Sequence, residues 1–76
     1  MLSKEECLDR IKELAAARQM YGRLIFTSSS LCASYNRRYE ELVESFLVLP
    51  QNDRAWLESR SNEFGRVIIA SCGKKL

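Results

Sequence analysis

Apolar residues recur in alternating steps of three and four along most of this chain, and that spacing commits it to helices. Leu8, Ile11, Leu14 and Ala15 open the stripe, and Arg18, Tyr21 and Ile25 carry it on. Ser28, Leu31, Cys32, Tyr35, Tyr39, Leu42, Val43 and Phe46 keep the same phase. An α-helix turns once in about 3.6 residues, so side chains spaced this way share one face. A second stripe follows, built from Trp56, Leu57, Arg60, Phe64, Val67, Ile68 and Ser71.

The first stripe carries its own start signal. Ser3 with Glu6 three places on is a capping box, in which hydroxyl and carboxylate each satisfy a backbone N–H of the other residue. Leu2 before the cap and Cys7 at the fourth helical position have the spacing of a hydrophobic staple. These features predict a helix over 4–20. Gly22 then either ends it or is kept at a close helix crossing. Phe26-Thr27-Ser28-Ser29-Ser30 favours helix poorly, because hydroxyls compete for backbone groups. The expectation is one long helix, or two helices meeting near residues 27–34. Pro50 stops the segment by Leu49, since the residue before a proline avoids the helical conformation. Pro50–Asp53 is expected to turn, with Asn52 or Asp53 capping a last helix over 53–71. Gly73, Lys74 and Lys75 would close that helix.

Tyr21-Gly22-Arg23-Leu24-Ile25-Phe26-Thr27-Ser28-Ser29 returns in near form as Phe64-Gly65-Arg66-Val67-Ile68-Ile69-Ala70-Ser71-Cys72. A glycine beside bulky apolar residues lets another backbone approach. The repeat therefore suggests that the first and last helices cross near Gly22 and Gly65, unless it reflects chance or a shared packing need. The competing fold is α+β, with a two-stranded ribbon from residues 23–28 and 66–72, where Leu-Ile-Phe-Thr and Val-Ile-Ile are β-prone.

A chain of 76 residues is one small domain with a thin margin of stability, and such domains are usually stapled. Three cysteines, Cys7, Cys32 and Cys72, are isolated, and there is no histidine. That set cannot build a structural zinc site, and an odd thiol argues against a disulfide framework. Reduced cysteines packed as small apolar residues fit a cytoplasmic protein. The charged start, Met1–Glu6, does not read as a signal peptide, and no apolar run is long enough to span a membrane. No cofactor or metal is expected. The remaining staple is a second chain.

Net charge is only +2, but it is laid out in blocks. Arg18, Arg23, Arg37 and Arg38 fall in a stretch without acids, and Glu40, Glu41 and Glu44 follow at once. Catalysis finds little footing. Ser28, Ser29, Ser30 and Cys32 are nucleophiles by type, but no histidine is present to activate them. Adjacent carboxylates such as Glu40 and Glu41 do not face each other on a helix. The expected protein is not an enzyme.

A nucleic-acid interface is the second choice. Tyr35-Asn36-Arg37-Arg38-Tyr39 joins guanidinium groups to aromatics, which suit phosphate and base stacking. Against it, both tyrosines lie in phase with the apolar stripe, Arg37 can pair with Glu41, and the pI near 8.5 is modest.

Protein binding fits best. Leu24-Ile25-Phe26, Phe46-Leu47-Val48-Leu49 and Val67-Ile68-Ile69 are consecutive bulky runs, which cover more than one helix face. Some of that surface should meet a second copy or another protein. The expectation is an all-α domain over 1–76, a helical hairpin or three-helix bundle, paired as a homodimer. It would regulate or inhibit a larger protein, in the manner of a phage- or plasmid-type accessory protein. Arg18, Arg23, Arg37, Arg38, Glu40, Glu41 and Glu44 would choose the partner. Gly22, Ile25, Phe46, Trp56, Phe64, Gly65 and Ile68 would form the helix packing or the dimer contact.

Overall fold

The computed structural model describes residues 1–74, and Lys75 lies outside them. The described chain is all-helical, in five pieces rather than three: α1 Lys4–Tyr21, α2 Leu24–Thr27, α3 Ser29–Leu47, α4 Gln51–Arg60 and α5 Glu63–Gly73. No strand forms among the described residues. Both runs proposed for a ribbon are helical, since Leu24–Thr27 is α2 and residues 66–72 lie inside α5. Helical phase wins over β-propensity here, and a lone two-stranded ribbon would be marginal in water.

α1 starts where its sequence says it should. The Glu6 N–H donates to Ser3 Oγ at 3.2 Å, and the Ser3 N–H donates back to Glu6 Oε1 at 3.0 Å. The bond from the Ser3 backbone, with that from its hydroxyl, holds the Glu6 carboxyl below the usual carboxylate range. Cys7 is fully buried and Leu2 packs against the core, as a staple requires. Burial, with the nearby Glu6 charge, pushes the Cys7 thiol up. The helix ends at Gly22, whose φ of 53° and ψ of −124° suit glycine alone, while its N–H donates to the Arg18 carbonyl at 2.9 Å. One long helix through this region is therefore excluded. The single turn α2 leads to Ser28, whose extended backbone (φ −89°, ψ 120°) starts α3.

The expected helix over 53–71 is two helices. Pro50 itself takes the N-cap position of α4, and Asn52 and Asp53 fall inside the first turn. Ser61 is extended, and Asn62 caps α5 by accepting from the Gly65 N–H at 2.9 Å. The Ser61 hydroxyl donates to the Leu57 carbonyl at 2.7 Å, which satisfies an acceptor left orphaned by the break.

α1 touches each of the other helices, so one wall of the core is shared by all. Ile11, Leu14, Ile25, Leu42, Leu57 and Ile68 are its fully buried large residues. Gly65 sits where α5 meets α1, and a methyl placed on it would come within 3.0 Å of Ile11 Cγ2. Gly22 has nothing within 4 Å of that position. The two glycines of the near repeat thus do different jobs, one turning the chain and one admitting a neighbour. A shared crossing at both is ruled out.

Polar ties close the corners. The Leu2 N–H donates to the buried Ser45 Oγ at 2.9 Å. Arg54 donates to the Leu47 carbonyl at 3.0 Å and lies 5.1 Å over the Phe46 ring, joining the end of α3 to α4. Lys4 lies 3.8 Å from Asp53 and 5.0 Å over Trp56, whose ring also carries Arg60 at 4.6 Å. Among the described residues no helix is long and apolar enough to cross a membrane.

Candidate functional site

The charged residues expected to form one patch are divided by the fold. α1 and α3 meet through a four-member network. Arg10 donates to Glu41 Oε2 at 3.2 Å and to the Arg38 carbonyl at 3.1 Å, and lies 3.7 Å from Glu13. Arg38 pairs with the same Glu13 at 3.3 Å. Glu41 therefore pairs with Arg10 and not with Arg37, because α1 presents a guanidinium directly across from it. Arg38 and Glu41 are spent on holding two helices together. Arg37, Glu40 and Glu44 remain exposed on α3 and enter no ion pair among the described residues.

Tyr35 and Tyr39 stack 6.4 Å apart, Tyr35 buried and Tyr39 half-buried. Tyr39 shares a short hydrogen bond with the Ser71 hydroxyl, which ties α3 to α5. Burial raises the Tyr39 phenol above its ordinary value, partly offset by that bond. These aromatics belong to the interior, as their phase on the stripe implied. Among the described residues no group of three or more Cys, Asp or Glu side chains gathers as metal ligands do.

The packing residues divide as well. Ile25, Phe46, Gly65 and Ile68 are buried within the fold, and Trp56 is half-buried between its two cations. Gly22 and Phe64 are exposed. The buried line along α4, the break and α5 is Leu57, Ser61, Gly65, Ile68, Ile69 and Cys72, which keeps Leu57 and Ile68 of the expected stripe but takes Ser61, Gly65 and Cys72 in place of Arg60, Phe64 and Ser71. Small residues hold the inner line because α5 approaches α1 closely at Gly65. Phe64 and Val67 are pushed outward as a result.

A concave surface forms where they emerge. Arg18 from α1, Gly22 and Arg23 from the corner, Phe26 from α2, and Phe64 and Val67 from α5 line a groove of about 330 Å³. Phe26 is 65% exposed, Val67 51% and Phe64 40%, with Leu24 and Tyr21 exposed on the flanking chain. Arg18 lies 5.9 Å over the Phe26 ring and donates to the Tyr35 hydroxyl at 3.4 Å. Neither Arg18 nor Arg23 enters an ion pair among the described residues. The near repeat thus meets itself in space, since exposed members of both copies line one groove.

No protein-family model matches this chain, and neither a curated protein nor a solved structure matches it. The site stands on its geometry alone. Phe26 and Val67 are the members not expected at a site: patterning left Phe26 off the apolar stripe and put Val67 on the interior one. Their signal was present in the apolar triplets Leu24-Ile25-Phe26 and Val67-Ile68-Ile69, because a helix cannot bury three consecutive side chains on one face.

Proposed function

We propose that this chain is a non-enzymatic protein-interaction module that regulates or inhibits a larger protein by occupying its surface. The observation that carries this reading is the groove between α2 and α5, with Phe26, Phe64 and Val67 held open to solvent. Water-exposed apolar side chains gathered in a concavity are what a partner's apolar residues fill. Fully burying an exposed side chain of this kind contributes roughly 1.5–3 kcal/mol, and the part of these three still open to water amounts to about one and a half such burials, a modest but usable anchor. The chain holds no histidine, and its serine-rich segment brings no base to a nucleophile. Steric occupation and charge matching are the means left to it.

Nucleic-acid binding through Arg37 and Arg38 has less support. Arg38 is neutralised by Glu13, and the tyrosines that would stack bases pack inward. A homodimer, expected from the apolar inventory, would compete for the same groove.

The test is affinity capture from a lysate of the source cell, with and without nuclease, using wild type and Phe26→Ser side by side. A protein that survives nuclease and is lost with Phe26→Ser supports the module. Recovery of nucleic acid, with proteins released by nuclease, overturns it.

A further inference from the structure

We infer that the α2–α5 groove receives an acidic segment of another protein that carries bulky apolar side chains. This rests on the interaction-module reading and names the chemistry of its partner.

The charges around the groove decide the matter. Its lining holds two guanidinium groups, Arg18 and Arg23, and no carboxylate. Lys4 pairs with Asp53, Arg10 with Glu13 and Glu41, and Arg38 with Glu13; other cations, Arg37 among them, are unpaired too among the described residues, but none of them lines the groove. Arg18 and Arg23 are left without an acid, one on either side of the Gly22 corner and beside the Phe26 ring. Arginine in such a setting matches a carboxylate with a planar fork, and an apolar floor beside it strengthens the pairing by displacing water. The occupant that satisfies both halves of the lining is an amphipathic segment with Asp or Glu next to Leu, Phe or Trp.

A second copy satisfies only one half. Two-fold pairing through this groove sets the same patch against itself, so the arginines of one copy face those of the other. A nucleic acid would find only two cations here, and although a base could stack on Phe26 or Phe64, the lining offers no side-chain hydrogen bond to a base edge beyond those two arginines.

The experiment begins with a display library of random peptides selected on the immobilised full chain. The best selected peptide is labelled and titrated by fluorescence anisotropy against wild type, Arg23→Glu, Val67→Asp and Arg37→Glu. Each variant is checked for helix content by circular dichroism, and Phe26→Ser stands in if Val67→Asp loses it. A single-stranded oligonucleotide serves as competitor, and sedimentation velocity gives the oligomeric state. Selected peptides should be acidic and carry bulky apolar residues. Arg23→Glu and Val67→Asp should each weaken binding about tenfold or more, and Arg37→Glu by less than about twofold. Affinity for wild type should fall as salt rises. Neutral or basic peptides, or equal losses at Arg37, overturn the acidic partner and leave the interaction module standing. Displacement by the oligonucleotide, or a wild-type dimer that Phe26→Ser dissociates, overturns the acidic partner and the module reading together. If no peptide is enriched and the chain is monomeric, both fall.

Discussion

Replacing Gly65 by alanine sets two effects of opposite sign against each other. In an open helix the change stabilises by about 1 kcal/mol, because alanine gives up less backbone freedom on folding. In this fold the added methyl would lie 2.9 Å from Ser61 Cβ and 3.0 Å from Ile11 Cγ2. Non-bonded carbons rest at about 3.5–4.0 Å, so both neighbours would have to retreat. Both are held in place. Ile11 is fully buried, and Ser61 is tied to the Leu57 carbonyl. Overpacking of this kind costs about 1–3 kcal/mol, and subtracting the helix gain leaves a net loss of up to about 2 kcal/mol. A domain of this length is stable by about 4–11 kcal/mol, so the variant forfeits a sizeable share. Its melting temperature should drop, by up to roughly 15 °C. Thermal and urea unfolding followed by far-UV circular dichroism measures this directly. Ser61→Gly removes the nearest obstacle, so Gly65→Ala should cost less in that background. A Gly65→Ala protein that melts above wild type would refute the close approach of α5 to α1. A loss left undiminished by Ser61→Gly would refute the part assigned to Ser61.

Gly22 offers the converse case, where space is open but the backbone is special. Gly22→Ala should destabilise by about 1–2 kcal/mol, whereas D-alanine at the same place, introduced by chemical synthesis, should stabilise; equal melting temperatures for the two would contradict the assigned φ. In the α1–α3 network, Arg10→Ala should cost about 1 kcal/mol and Arg38→Ala less than about 0.5, because Arg10 serves three acceptors and Arg38 one carboxylate. Urea melts at low and high salt check this, and an Arg38→Ala loss larger than that of Arg10→Ala would reverse the assignment. Glu6 has a folded-state pKa lowered by Ser3, so its contribution is present above the ordinary carboxylate range and fades as pH falls through the lowered value. An NMR titration should place Glu6 below an ordinary glutamate, and Ser3→Ala should move it only part of the way back, since the backbone donor survives.

The parts of the fold legible in the sequence were those written in local chemistry. Ser3 and Glu6 announced the start of α1 and Pro50 the corner after α3, while Gly22 left two readings open, of which the helix end is the one the fold takes. The break at Ser61-Asn62 went unseen because Leu57, Ser61, Gly65, Ile68 and Cys72 keep three-and-four spacing straight through it. Periodicity reports which residues face inward, and it is silent when a chain interrupts its helix and resumes in phase. The asparagine before Glu63-Phe64-Gly65 was the available signal, as a cap residue two places before an apolar run. The groove was hidden for a related reason. Following bulky residues selects Phe64 and Val67 for the interior, but the crossing at Ile11 has room only for Gly65 and Ser61. The charge blocks were legible as composition and misleading as a patch, because Glu13 and Arg10 arrive from another helix to neutralise Arg38 and Glu41.

With α1 as the wall shared by every other helix, its central amides cannot be exposed without dissolving the whole interior. Hydrogen exchange there should track global unfolding. α2 is a single turn bounded by Gly22 and Ser28, and only Ile25 anchors it inward. Its amides can exchange through local opening while the rest of the bundle stands. One side of the groove is therefore built on the least cooperative piece of the chain, and the opposite side on α5, whose Ile68, Ile69 and Cys72 are rooted in the core. A guest would meet one fixed jaw and one that adjusts.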